Sequence, residues 1–138
     1  MDLSHEKKTG DFVRSVITDG LTTAVHDCSS GGLALAVAEM AIASDIGATV
    51  DAVEGHNPVA TFYGEDQGRY VLTVRQADLE MVKSRADAAG VSVTVIGKTG
   101  GSVVKLGTAR AVEINELRNA YESWFPHFMD GEFLAAAE

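Results

Sequence analysis

The stretch TTAVHDCSSGGLALAVAEM, from Thr22 to Met40, decides the fold because a strand pattern passes through a polar turn into an apolar helix pattern. Residues 21–26 are typical of a short strand. Residues 33–43 are apolar on nearly every side, with Glu39 as their one charged side chain. A helix of this composition is buried on most sides. The stretch therefore predicts a strand, a glycine turn and a buried helix in succession.

Helix and strand patterns alternate along the rest of the chain. Helices are predicted at residues 6–19, at 77–89 and from 114 onwards. Gly20 should end the first of these helices and Gly90 the second. Asn57 and Pro58 open a short helix or turn. Further strands are predicted at 47–53, 69–74, 91–96 and 103–106, and the GKTGGS segment should join the last two in a hairpin. Interleaved elements of this kind predict a mixed sheet with packed helices, in an α+β or α/β domain.

The last predicted helix carries an aromatic stripe. Its members are Tyr121, Trp124, Phe125 and Phe128. We interpret the stripe as core packing, with a surface for a partner domain as the alternative for Trp124.

Length, charge and cysteine content exclude several classes of protein. A chain of 138 residues with 46% hydrophobic content is the size of one domain. Its 11 basic and 20 acidic residues give a net charge of −9, which disfavours nucleic acid and membrane surfaces as partners. The single cysteine, Cys28, cannot form an internal disulfide, and the N-terminus lacks the apolar core of a signal peptide. We therefore expect a cytoplasmic protein.

The turn between the first strand and the buried helix has the layout of an anion site. His26 and Asp27 end the strand, and Ser29, Ser30, Gly31 and Gly32 follow. The first amides of a helix lack intrahelical acceptors and lie at the positive end of its dipole, so they can hold a phosphate together with a serine hydroxyl. The alternative is an ordinary helix start, with Ser29 or Ser30 as the N-cap, His26 as a core histidine and Asp27 in a turn.

A second polar cluster lies in the segment YGEDQGRY. If this segment is extended, Glu65, Gln67 and Arg69 point the same way and could recognise a polar ligand, or bind Mg²⁺ through Glu65. The alternative is a solvated edge with an ordinary ion pair between Glu65 and Arg69.

The two clusters together resemble the C-terminal domain of phosphoribosylformylglycinamidine synthase. The segments AVHDCSSGGLALAVAEMA and FYGEDQGRYVLTV are close, in order, to the family patterns H-D-x-S-D-G-G-L-x-x-x-L-x-E and F-x-E-x-Q-x-R. The chain differs from the first pattern at Ser30, where the family carries aspartate. The resemblance extends from the first helix to the last and so covers almost the whole chain.

The resemblance implies an α+β fold: a layered α/β/α domain with a mixed sheet and partial ferredoxin-like topology. Residues 1–130 would form a single aminoimidazole ribonucleotide synthetase C-terminal-like domain, and residues 131–138 a frayed tail. The chain would be one module of a longer enzyme that also contains ATP-binding modules. By itself it should therefore be inactive, with a glycine turn open to solvent and an exposed apolar face where the other modules sit.

The family activity implied by the resemblance is the ATP-dependent conversion of formylglycinamide ribonucleotide to formylglycinamidine ribonucleotide in purine biosynthesis. ATP and Mg²⁺ would serve the full-length enzyme, a glutaminase component would supply ammonia, and this module alone would need no cofactor. The resemblance implies phosphate or nucleotide contacts for His26, Asp27, Ser29, Ser30, Gly31 and Gly32. It implies polar or magnesium-linked contacts for Glu65, Gln67 and Arg69, with Asp27 and Glu65 as the candidate metal ligands. The alternative function is a free-standing phosphometabolite-binding or structural module without catalysis.

Overall fold

The computed structural model describes residues 3–51 and 57–130. The helices are α1 (Leu3–Thr18), α2 (Gly32–Ser44), α3 (Pro58–Tyr63), α4 (Leu79–Ala89), which follows a 3₁₀ turn at Gln76–Asp78, and α5 (Ile114–Met129). The strands are β1 (Ala24–Asp27), β2 (Ala48–Val50), β3 (Tyr70–Thr73), β4 (Gly97–Thr99), β5 (Val103–Leu106) and β6 (Val112–Glu113). The α+β class is confirmed.

The predicted helix boundaries are confirmed where the sequence carries a terminating residue. The Asn57 side chain accepts a hydrogen bond from the Val59 amide and caps α3, with Pro58 in its first turn. Gly90 ends α4 with a left-handed φ of 64°, and its amide donates to the carbonyl oxygens of Ala86 and Asp87. Gly20, with φ 67°, follows α1 in the same conformation.

The strands form two sheets, and the larger of them is the mixed sheet that was predicted. β1 and β3 pair antiparallel as a two-stranded sheet, with Val25 opposite Leu72 and His26 opposite Val71. Val25 and Leu72 pack on the core formed by α1 and α4, whereas Val71 packs on the core around α2. This ribbon thus lies between helices on both faces, because side chains alternate across a strand.

The second sheet has four strands in the order β4–β2–β5–β6. β2 pairs parallel with β5 and antiparallel with β4, so the predicted hairpin between the strands on either side of GKTGGS is wrong. The loop instead crosses the start of β2: the Gly47 amide donates to the Gly101 carbonyl at 2.8 Å, and the Gly100 amide to the Gly47 carbonyl at 2.7 Å. A β-carbon on Gly47 would lie 2.3 Å from the Val103 carbonyl oxygen, so this crossing requires glycine.

Three further predictions differ from the structure. Residues 91–96 form no strand, and the strand in this region is the shorter β4 that follows them. The strand predicted at 47–53 extends only over β2, and residues 52–56 lie outside the described residues, as does the predicted tail at 131–138. The aromatic stripe of α5 is not core, because Tyr121, Trp124 and Phe125 are each more than half exposed. In the described ranges, no helix is long and apolar enough to span a membrane.

Candidate functional site

The pairing of β1 with β3 brings the two polar clusters together. Asp27, at the end of β1, lies opposite Tyr70 at the start of β3. The Cys28 amide continues the ladder by donating to the Arg69 carbonyl at 2.9 Å. Both clusters therefore lie at the same end of the ribbon, where the chain leaves β1 for α2 and enters β3 from α3.

The glycine turn packs directly against the carboxyl end of α3. Gly31 and Gly32 both have left-handed backbone conformations, with φ of 75° and 60°. A β-carbon on Gly32 would lie 2.7 Å from the Gly64 carbonyl oxygen and 2.9 Å from that of Phe62. Gly32 is therefore required by both its backbone angle and its backbone contact.

The amides of the turn are already hydrogen-bonded within the protein. The Gly31 amide donates to Oε1 of Glu65 at 2.8 Å, and the Gly32 amide donates to the Ser29 carbonyl at 2.9 Å. A carboxylate thus lies at the amino end of α2, where the helix dipole favours negative charge. The site does attract an anion, but in this structure the anion is the protein's own Glu65.

The serine N-cap considered from the sequence is wrong. The N-cap of α2 is Gly31, which has no side chain to accept a hydrogen bond from the first amides of the helix. Neither the Ser29 nor the Ser30 hydroxyl forms a hydrogen bond with another described residue, and both residues are exposed. Both hydroxyls are accordingly available to a ligand.

His26 is held by acceptors on both ring nitrogens. Its Nε2 lies 3.0 Å from Oε2 of Glu39, and its Nδ1 lies 2.7 Å from the Asp27 carbonyl oxygen. Both oxygens can only accept, so the ring makes both hydrogen bonds together only when both nitrogens carry protons. His26 therefore joins the end of β1 to α2 through Glu39.

Glu39 is the residue that the sequence reasoning missed at this site. Its carboxylate is about one third exposed and faces the ribbon from α2. The signal was present, since Glu39 is the one charged side chain in the apolar run of α2 and the glutamate that ends the first family pattern.

The second cluster does not form the extended triplet that was predicted. Gln67 and Gly68 form a turn, so alternate residues do not share a face. Arg69 donates to the carbonyl oxygens of Gly64 and Thr61, both at 2.9 Å, and supports the carboxyl end of α3. Its nearest carboxylate is that of Asp66 at 3.8 Å, rather than the predicted Glu65. Gln67 is exposed, and only Glu65 contacts the glycine turn.

Cys28, within the first cluster, is a packing residue. It is 4% exposed, and burial raises the pKa of its thiol above the usual value. A protonated, buried thiol is a poor nucleophile.

The candidate metal ligands do not form a complete metal site by themselves. Among the described residues there is no group of three or more His, Cys, Asp or Glu side chains that could hold a metal ion. Asp27 is well exposed and Glu65 is exposed, so each could supply one carboxylate oxygen to a cation shared with a ligand. Mg²⁺ commonly binds in this way, through one or two carboxylates, water and substrate phosphates.

The polar residues around the glycine turn are open to solvent, because Asp27, Ser29, Ser30 and Glu65 are all exposed. A groove of about 610 Å³ lies between α1 and α4, lined by Lys7, Lys8 and Arg85 among others. A second cavity of about 500 Å³ lies beside β2 and β4. Neither contains a predicted site residue, so a ligand at the glycine turn would need a further surface to enclose it.

Comparison with known proteins gives one family and a consistent set of relatives. The model of the AIR synthase related protein C-terminal domain matches residues 1–107. The phosphoribosylformylglycinamidine synthase subunit PurL of Agrobacterium fabrum is 76% identical over 138 residues, which are all of this chain and 18% of that protein. The chain thus spans about one fifth of the length of the curated relatives that it matches.

Solved structures share the fold. Thermotoga maritima PurL complexed with ATP superposes with a TM-score of 0.70 at 16% identity, over 80% of this chain and 21% of that one. The same protein complexed with FGAR gives a TM-score of 0.69 at 17% identity, over 81% and 20%. These likenesses establish the architecture of the described domain.

Proposed function

The chain belongs to the family of AIR synthase related protein C-terminal domains, and from this premise we propose that it is a module of a phosphoribosylformylglycinamidine synthase. The full enzyme converts formylglycinamide ribonucleotide, ATP and ammonia to formylglycinamidine ribonucleotide, ADP and phosphate. The observation that carries the proposal is 76% identity to a PurL subunit across the whole chain. The solved complexes of Thermotoga maritima PurL with ATP and with FGAR are consistent with it.

The part of this module in the reaction is to line a nucleotide or substrate cleft at the glycine turn. The amino end of α2 favours an anion, and a carboxylate already lies there at 2.8 Å from the Gly31 amide. A bound phosphate would accept hydrogen bonds from the Ser29 and Ser30 hydroxyls and would compete with Glu65 for the Gly31 amide. Ser30 in place of the family aspartate leaves one carboxylate fewer beside such a phosphate.

ATP and Mg²⁺ belong to the full-length enzyme in this proposal. Asp27 and Glu65 are the residues that would hold a magnesium ion, because each has an exposed carboxylate that could bind it together with phosphate oxygens. A bound magnesium ion would neutralise the charge of the phosphates. His26 contributes by fixing the end of β1 against α2 through Glu39.

The proposed partners are the ATP-binding modules of the same enzyme and a glutaminase component that supplies ammonia. The open glycine turn supports this arrangement, because a cleft must be closed by a second surface before water is excluded from a reacting phosphate. A purine-biosynthetic enzyme of this kind would act in the cytoplasm.

The decisive experiment transfers this chain into a full-length relative. The matching segment of the Agrobacterium fabrum subunit is replaced by these 138 residues, and ADP formation dependent on formylglycinamide ribonucleotide is measured with ammonium as nitrogen donor. We expect activity within about tenfold of the parent subunit. Glu65→Ala should lower kcat/KM by about tenfold or more, because it removes the carboxylate from the turn and from any bound cation.

The matched control is Met81→Ala, which truncates an exposed side chain on α4 away from the turn. It should leave kcat/KM unchanged. A folded chimera without activity, or equal effects of the two substitutions, would contradict the proposal.

A further inference from the structure

Helix α5 has a first half that is anchored to the domain and a second half whose apolar side chains are exposed. Ile114 is 4% exposed in the core around α2, and Leu117 packs against the same core. Arg118 donates to the Ile42 carbonyl at 3.0 Å and to Oδ1 of Asp45 at 2.7 Å, at the carboxyl end of α2. The first two turns of α5 are thereby fixed to the domain.

Beyond this anchor, no residue in the described ranges buries the apolar stripe of α5. Ile114, Leu117, Tyr121, Trp124 and Phe128 recur at helical spacing. The rings of Trp124 and Phe128 stack with centroids 5.4 Å apart. The exposed side chains are Tyr121 at 61%, Trp124 at 55%, Phe125 at 60%, Phe128 at 48% and Met129 at 66%. We call these five residues the α5 surface.

We propose that the α5 surface is the docking face of this module, and that its occupant is an apolar surface on the remaining part of the full-length synthase chain. The proposal rests on the proposed function only in taking the chain as one module of that longer protein. The interaction continues the packing of α5 on α2, because the same stripe first contacts α2 and then extends past it.

The exposed area favours an occupant in the same polypeptide over a second copy of the chain. With aromatic side chains of about 150–250 Å² each, the α5 surface offers on the order of 500 Å². Two copies would bury about 1,000 Å² in total, less than the roughly 1,200–2,000 Å² of stable specific interfaces. Each copy also carries a net charge of −9, which opposes self-association. A tethered partner can be held by a small interface, since tethering raises its effective concentration.

The position of α5 relative to the family match supports the same occupant. The family model ends at residue 107, whereas α5 begins at Ile114. The alignment with the Agrobacterium fabrum subunit nevertheless covers all 138 residues, and this chain is 18% of that protein. The α5 surface is thus outside the part matched by the family model and inside the part shared with the long synthase subunit.

Trp124 provides the probe, because it is the single tryptophan of the 138 residues. The isolated chain and the full-length chimera described above are labelled with 5-fluorotryptophan, and the Trp124 ¹⁹F resonance is assigned in each by its loss in Trp124→Phe. Its shift between H₂O and D₂O reports contact with solvent. We expect the solvent shift in the isolated chain and its loss in the chimera.

A pair of variants tests whether the contact holds the modules together. Phe125→Glu places a charge on the α5 surface, and Met81→Glu does the same at an exposed methionine on α4. In the chimera, Phe125→Glu should restore the solvent shift and speed proteolysis between modules at least about tenfold, whereas Met81→Glu should do neither. Neither should alter the thermal midpoint of the isolated chain.

The outcomes separate this inference from the proposed function. A chimera that makes the amidine while Trp124 remains solvent-exposed would overturn the docking role of the α5 surface without contradicting the proposed function. A chimera that buries Trp124 but lacks activity would support the surface and count against the function. A micromolar dimer of the isolated chain with Trp124 buried would assign the surface to a second copy and overturn the proposal.

Discussion

Replacing Gly32 by alanine should destabilise the domain far more than the same change at Gly20. Both glycines have left-handed backbone angles, with φ of 60° and 67°. They differ in their surroundings, because a β-carbon at Gly20 meets nothing within 4 Å. At Gly32 it would lie 2.7 Å from the Gly64 oxygen, 2.9 Å from the Phe62 oxygen and 2.9 Å from the Tyr63 carbonyl carbon.

The expected losses in free energy of unfolding follow from the left-handed backbone angle and from the contacts of the added β-carbon. A left-handed angle costs an L-residue about 1–2 kcal/mol, partly offset by the lower entropy of the unfolded alanine variant. We therefore expect Gly20→Ala to cost about 1 kcal/mol. Overpacking adds about 1–3 kcal/mol, and backbone atoms at the end of α3 cannot rotate away as a side chain would. Gly32→Ala should then cost about 2–4 kcal/mol.

Urea unfolding followed by circular dichroism gives the free energy of unfolding of each variant, with the dependence on urea concentration (the m-value) the same for both. The Gly31 amide resonance gives a second readout, because displacing Gly64 also moves the adjacent Glu65 from its 2.8 Å hydrogen bond. That resonance should shift in Gly32→Ala and stay in place in Gly20→Ala. If the two variants lose equal stability, the close packing of the glycine turn on α3 is refuted, whatever the absolute values.

Three further predictions test the same region. Glu65→Gln should lower the free energy of unfolding by about 0.5 kcal/mol, because it removes the negative charge at the amino end of α2. It should also shift the Gly31 amide resonance upfield. An unchanged resonance would show that the 2.8 Å hydrogen bond between Glu65 and the Gly31 amide does not form in solution. Phe62→Ala should cost about 3–5 kcal/mol in urea unfolding because Phe62 is 6% exposed, whereas Tyr63→Ala, at 61% exposed, should cost less than about 0.5 kcal/mol. The Cys28 thiol should react with Ellman's reagent at least about a hundredfold more slowly in the native chain than in urea, since burial raises its pKa and so lowers the thiolate fraction at pH 8; fast native reaction would contradict that burial.

Helix boundaries were predictable because the residues that set them act locally. An asparagine that accepts from an amide two residues later, or a glycine that adopts a left-handed angle, specifies a helix end without reference to the rest of the fold. The same holds for the apolar run of α2 and for the polar composition of the two clusters. The family patterns could be read for the same reason, as they too are contiguous in the chain.

Strand pairing and the occupancy of the glycine turn were decided only by the tertiary structure. A strand pattern gives the buried face but not the neighbour, so the position of β2 between β4 and β5 could not be obtained from the GKTGGS turn. The contact of Glu65 with Gly31 joins residues 34 positions apart and depends on the pairing of β1 with β3.

The sequence by itself determined that α2 begins at a glycine turn able to attract an anion, and that α5 carries an apolar stripe. Only the tertiary structure decided that Glu65 accepts a hydrogen bond from the Gly31 amide of that turn, and that the second half of the stripe faces solvent. The physical reason is common to both. Helix dipoles and amphipathic spacing are fixed by local chain geometry, whereas the group that satisfies them is chosen by packing between distant segments.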